Sequence, residues 1–131
     1  MKLLIADDSL MIRERIKNLV RNFTEVSIVG EAGNGKTAME MIRKFDPDLL
    51  LLDLRMPEMG GMDVLKGMKE ANMRTKVCIL TNYPYPQYRD KCLALGADYF
   101  LCKSDDFEKL NIVISNTIKE SEKRNANKII N

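Results

Sequence analysis

The run Leu49-Leu50-Leu51-Leu52 has no polar residue at any alternate position, so a strand built from it has no face to give to water. It must lie between two apolar layers, as a central strand of a parallel sheet covered on both sides does. Leu3-Leu4-Ile5-Ala6 and Tyr99-Phe100-Leu101-Cys102 are two further runs of this kind, and all three end on charge. Asp7-Asp8 follows the first, Asp53 the second and Lys103 the third. Parallel strands bring their carboxyl ends to one edge, where open α/β sheets bind ligands. Three carboxylates and one ammonium in one crevice have the composition of a magnesium and phosphoryl-transfer site. Two carboxylates about 4 Å apart repel by roughly 4 kcal/mol at an effective dielectric near 20, so such a cluster calls for a counter-cation.

Between these runs the pattern alternates with helical periodicity, the signature of repeated strand-helix units and of an α/β fold with a five-stranded parallel sheet and helices on both faces. Ser9 caps a first helix with Ile12, Ile16, Leu19 and Phe23 on its apolar stripe and Arg13, Glu14 and Lys17 turned outward. Val26 to Val29 reads as the second strand. A second helix presents Ala38, Met41, Ile42 and Phe45 and stops before Asp46-Pro47, because the proline ring disfavours helical geometry in the residue ahead of it. After Met56-Pro57-Glu58-Met59-Gly60-Gly61, rich in breakers, Met62, Leu65 and Met68 mark a third helix. Lys76 to Leu80 is the fourth strand and ends at Thr81. A fourth helix opens with Pro86 and stops at Gly96. Asp105 or Asp106 caps the last, with Leu110, Val113, Ile114 and Ile118 inward. One domain over residues 1–120 and a polar, fraying tail over 121–131 are expected.

Composition narrows the chemistry. With 21 Lys+Arg against 19 Asp+Glu, the net charge of +2 gives no chain-wide reason to expect nucleic acid or an anionic membrane as partner. No apolar stretch approaches the roughly 20 residues of a membrane span, and none resembles a signal peptide, so a cytoplasmic protein is expected. Cys78, Cys92 and Cys102 lack metal-ligand spacing and read as small buried hydrophobes, and the nine methionines read as core filler. The chain has no histidine, so any phosphohistidine must come from another protein.

The ordered set Asp7-Asp8-Ser9, Asp53 with Met56-Pro57 and Gly60-Gly61 behind it, Thr81, Gly96-Ala97-Asp98 and Lys103 resembles the response-regulator receiver domain of two-component signalling, over roughly residues 2–120. The resemblance implies a CheY-like, flavodoxin-like fold with strand order 2-1-3-4-5. It further implies that Asp53 accepts a phosphoryl group, that Asp8 and Asp53 ligate Mg²⁺, that Asp7 holds the metal directly or through water, and that Arg55 adds its backbone carbonyl. Thr81 and Lys103 would contact the phosphoryl oxygens, and Phe100 stands where the family commonly has a switching aromatic. Arg55 and Tyr83 occupy two positions that tune the lifetime of the acyl phosphate, and their bulk implies slow self-dephosphorylation. The implied partners are a sensor histidine kinase or histidine phosphotransfer protein, which meets the first helix, and a downstream target protein. The fourth helix, fifth strand and fifth helix imply an output or homodimer surface, with Tyr85, Tyr88, Arg89 and Lys91 as candidate contacts. With no effector segment after residue 120, output is expected to pass through another protein, unless the chain is part of a longer regulator.

Several features depart from the common pattern. Ser104 follows Lys103 where proline is frequent, and a trans bond is expected between them; Asn82 stands where a smaller residue is usual. Gly30-Glu31-Ala32-Gly33-Asn34-Gly35-Lys36-Thr37 also satisfies the phosphate-binding P-loop pattern, which leaves a P-loop nucleotide-binding protein as a second reading. Against it, Glu31 would stand next to nucleotide phosphate, and Asp7, Asp8, Thr81 and Lys103 would have no work. A receiver-like interaction module that is never phosphorylated is a third.

Overall fold

The charged-ended runs are neighbouring strands of one sheet. A computed structural model describes the backbone of residues 1–130 and the side chains of residues 1–128. The elements alternate as β1 (Lys2–Ala6), α1 (Leu10–Val20), β2 (Ser27–Ala32), α2 (Gly35–Phe45), β3 (Leu49–Leu52), α3 (Gly61–Glu70), β4 (Lys76–Thr81), α4 (Pro86–Ala94), β5 (Tyr99–Cys102), a short 3-10 turn (Phe107–Lys109) and α5 (Leu110–Ile130). All strand pairs are parallel, in the order β2-β1-β3-β4-β5.

The four leucines of β3 divide between two cores. Leu50 and Leu52 join Leu4, Ala6, Ile79, Ile42, Val64 and Leu65 on one face, where α2 and α3 pack. Leu49 and Leu51 join Leu3, Ile5, Leu80, Ile16, Leu110 and Ile114 on the other, under α1 and α5. Burial on both faces is what the absence of polar alternation demanded. All three cysteines are free and buried, and no helix among the described residues is long and apolar enough to cross a membrane.

Local stop signals act largely where the sequence puts them. Ser9 Oγ accepts from the Ile12 amide at 3.3 Å and caps α1. Asp46 closes α2 in the left-handed region at φ 45°, and Gly96 follows α4 at φ 100°, a conformation favouring glycine.

Three expectations are corrected. β2 runs on to Ala32, because Leu4, Ile5 and Ala6 pair with Gly30, Glu31 and Ala32 beyond an irregularity between Leu3 and Leu4. Neither Asp105 nor Asp106 caps α5: the Asp106 carboxylate turns back to accept from the Cys102 amide at 2.9 Å, and a 3-10 turn intervenes before Leu110. The segment after residue 120 does not fray at Ser121 but continues α5 to Ile130, with Asn131 outside the described residues. Ser121 is buried, and Arg124 Nη2 reaches Asp48 Oδ1 at 2.9 Å, fastening the helix to the amino-terminal edge of the sheet.

Candidate functional site

Hydrogen bonding in the sheet continues one residue past each strand and thereby aims the charges. The Asp7 amide donates to Ala32 O at 2.9 Å, the Asp53 amide to Ala6 O at 2.9 Å and the Lys103 amide to Thr81 O at 2.8 Å. The backbone positions of Asp7, Asp53 and Lys103 are thus set by rigid strands rather than by loops. Behind Asp53, Gly61 packs so closely on the Asp53 carbonyl oxygen that a Cβ there would collide with it. That contact explains the glycine at the start of α3.

Lys103, 5% exposed, lies between the two buried carboxylates, 2.7 Å from Asp7 Oδ2 and 3.2 Å from Asp53 Oδ2. Asp7 Oδ1 accepts from the Ser9 amide at 2.9 Å, so both of its oxygens are engaged. Asp8, by contrast, is exposed and stands at the opening. Asp7, Asp8 and Asp53 each offer an oxygen such that all three lie within 4.8 Å of one another. Opposite ligands of an octahedral magnesium stand about 4 Å apart, so this all-oxygen, part-buried set fits a small hard cation after a slight closure. Three carboxylates against one ammonium also leave negative charge for a divalent ion to neutralise.

Burial, with the neighbouring charge of Asp7, pushes the Asp53 carboxyl up to about 6, although Lys103 and the Arg55 amide pull the other way. For Lys103, burial acts to lower the pKa. The hydrogen bond it donates to Asp7 and the charges of Asp53 and Asp7 outweigh burial and raise it above the ordinary lysine value, so the ammonium stays charged.

The opening is a cleft of about 250 Å³ lined by Asp8, Ser9, Ile12, Asp53, Arg55, Asn82, Tyr83 and Lys103. The Arg55 guanidinium stacks on the Tyr83 ring, 4.0 Å from its centroid, beside the carboxylates. Thr81 is fully buried, and its Oγ1 accepts from the Tyr83 amide at 3.0 Å, outside the cleft lining. Phe100 is partly buried against the core on the α2, α3 and α4 side of the sheet, a cluster that Tyr88 also packs against. Of the four candidate output residues, Tyr85, Arg89 and Lys91 are exposed, whereas Tyr88 packs partly inward. No peptide bond among the described residues is cis, so Lys103-Ser104 is trans as expected.

The P-loop reading is corrected. Gly30, Glu31 and Ala32, which it needs in a phosphate-cradling loop, are strand residues; Glu31 carries ion pairs to Arg13 and Lys17, and Lys36 is exposed. Asn34 caps α2, accepting from the Thr37 amide at 2.8 Å, and Gly35 lies too close to the Met59 carbonyl for any side chain.

A model of the response regulator receiver domain matches residues 3–115. The chain belongs to that family. Among curated proteins, this receiver domain is 39% identical over 109 residues to the transcriptional regulatory protein YdfI of Bacillus subtilis (strain 168), covering 83% of this chain and 51% of that protein. It spans about half the length of the curated relatives it matches first. Among solved structures, the receiver domain of the putative response regulator NarL from Mycobacterium tuberculosis superposes with a TM-score of 0.83 at 29% identity, over 90% of this chain and 95% of that one. A chain of the CheX-CheY-BeF3-Mg complex from Borrelia burgdorferi superposes with a TM-score of 0.80 at 25% identity, over 88% of this chain and 87% of that one.

The helical stripe of α1 puts Arg13 on its solvent side. The structure turns its side chain back to the end of β1, where Nη1 donates to Asp7 O at 2.7 Å and Nε to Glu31 Oε1 at 3.1 Å. Helical periodicity gives the direction of a Cβ, not the reach of a guanidinium that leans toward the helix amino terminus.

Proposed function

We propose that this receiver domain takes a phosphoryl group from a phosphohistidine donor onto Asp53, in the cytoplasm, and thereby switches a protein-binding surface. The single observation that carries the reading is the convergence of Lys103 Nζ, 3.2 Å from Asp53 Oδ2, with three carboxylates whose oxygens lie within 4.8 Å. An Asp53 oxygen attacks phosphorus; the phosphorus–nitrogen bond to the donor imidazole breaks, and an aspartyl phosphate forms. The ammonium of Lys103 stands ready to neutralise charge on the transferring group, and the buried walls keep that interaction strong. Asp8 and Asp53, with Asp7 and the Arg55 carbonyl, would hold Mg²⁺, whose charge neutralises the phosphoryl oxygens when it is bound. The name of the Borrelia burgdorferi complex, which pairs a CheY with BeF3 and magnesium, supports that choice of cation.

Thr81 is the switch residue in this reading. Its hydroxyl exchanges its place beneath the Tyr83 amide for a phosphoryl oxygen, which draws the segment after β4 toward Asp53. Phe100 and Tyr88, both partly buried against the same core cluster, transmit that movement to Tyr85, Arg89 and Lys91, the contacts for a downstream protein or a second copy. A sensor histidine kinase or histidine phosphotransfer protein supplies the phosphate. The Arg55–Tyr83 stack crowds the path of an attacking water and makes self-dephosphorylation slow.

Intact-mass measurement after incubation with a small acyl phosphate tests the reading. One phosphoryl group is expected with Mg²⁺, and none with chelator or in Asp53→Asn. An adduct that survives Asp53→Asn would remove Asp53 from its role; no adduct in the native chain would leave only an interaction module.

A further inference from the structure

We propose that Arg13, held in place by Glu31, is a positioning residue that fixes the Asp7-Asp8 loop for cation binding. The inference rests on the Mg²⁺ reading above. The peptide joining Asp7 to Asp8 is planar, so its carbonyl oxygen and the Asp8 Cα turn as one unit. A charge-assisted hydrogen bond of 2.7 Å from Arg13 Nη1 to Asp7 O therefore orients the origin of the Asp8 side chain. Other polar atoms of Asp7 are already taken, by the Ala32 carbonyl, the Ser9 amide and Lys103. The carbonyl is the remaining handle on the loop.

Arg13 bears a positive charge close to the amino end of α1, where a cation is electrostatically disfavoured, and near an acidic site where it would compete with a bound cation. Glu31 offsets it: Oε1 accepts from Arg13 Nε at 3.1 Å and Oε2 pairs with Lys17 at 3.1 Å. Glu31 is pinned in turn by the pairing of its strand residue with Ile5 of β1. The clamp thus ties β2 to the exposed carboxylate of the site through one rigid fork, which gives the Gly30-Glu31-Ala32 segment a function other than phosphate binding. Lysine cannot reproduce it, because an ammonium lacks the two diverging donors at fixed angle.

Calorimetric titration with Mg²⁺ tests the clamp in the native chain, Arg13→Met, Arg13→Lys, Glu31→Ala and Lys76→Met. The last removes an exposed pair with Asp98 at the start of β4 and serves as control. Arg13→Met is expected to weaken Mg²⁺ binding about tenfold, the scale of lost outer-shell support, with Arg13→Lys failing to rescue it and Glu31→Ala shifted in the same direction. At saturating Mg²⁺, phosphorylation of Arg13→Met by the small acyl phosphate returns near the native rate, since the clamp sets cation affinity rather than chemistry. Native affinity in both Arg13→Met and Glu31→Ala overturns the inference, as does a lower melting temperature with unchanged affinity. If Arg13→Met does not fold, Glu31→Ala decides. A native chain that binds no Mg²⁺ overturns the cation reading itself, an outcome distinct from native-like binding by the variants.

Discussion

Asp53 Oδ2 and Lys103 Nζ are 3.2 Å apart across two adjacent strand ends, in a place where both residues are almost wholly withdrawn from water. The pair does not fully compensate its surroundings, because Asp7 competes for the same ammonium at 2.7 Å. Asp53 is left with its pKa raised from 3.8 to about 6 by burial and by the Asp7 charge. A carboxyl raised on folding costs nothing below about pH 4, where folded and unfolded chains are both protonated, and destabilises progressively as the pH climbs to 6. In metal-free buffer, Asp53→Asn should therefore stabilise the fold at pH 7 by up to about 3 kcal/mol, with the gain vanishing near pH 4. Urea unfolding at the two pH values checks this; a destabilised variant at pH 7 would refute it.

At the opposite edge the sign reverses. Burial acts to raise the Asp48 pKa, but the Lys2 amide at 2.7 Å and the guanidinium groups of Arg74 and Arg124 outweigh it and hold it below 3.8. Its contribution is complete above the ordinary aspartate value and lost as acid protonates it in the folded chain. Asp48→Asn should cost about 1–2 kcal/mol at neutral pH and progressively less below pH 4, by the same unfolding measurement. Arg124→Ala should cost under about 1 kcal/mol, since that side chain is 42% exposed.

Gly61 lies against the backbone of Asp53 itself. Gly61→Ala places a methyl group against the Asp53 carbonyl and should destabilise by about 1–3 kcal/mol while slowing phosphorylation by the small acyl phosphate. Equal rates and stability in variant and native chain would show that β3 and α3 can separate without consequence for the site.

Removing the aromatic half of the stack opens the cleft. Tyr83→Ala should shorten the lifetime of the phosphorylated chain severalfold, followed by loss of label after donor removal, with Arg55→Ala moving the same way. An unchanged decay would show that the stack shields nothing.

How much of this was legible beforehand depended on how directly local pattern controls position. Asp53 and Lys103 could be read because an uninterrupted apolar run is a buried strand, and the residue after it inherits a fixed place at the sheet edge. Arg13 could not, because its function lies at the far end of a long side chain that folds back along the helix. Tyr88 reads as surface on α4, yet it packs partly against a core cluster whose buried members, such as Leu4, Leu50 and Ile79, come from strands distant in sequence. The polar stretch after Ser121 has little apolar content to suggest order, but its anchor is an ion pair to Asp48, a contact across 76 positions that no local window contains. Gly30 to Thr37 carried a misleading signal, since glycines that allow close packing of Gly35 on Met59 also match a phosphate loop.

In the proposed reaction the Asp53 carboxylate becomes the phosphoryl acceptor. Reduction of the phosphorylated chain with tritiated borohydride converts an acyl phosphate to an alcohol, and peptide mapping then locates it. Tritiated homoserine is expected at position 53, formed only when Mg²⁺ was present during phosphorylation. Label at Asp7 or Asp8 instead, or label at 53 that is indifferent to Mg²⁺, would contradict it.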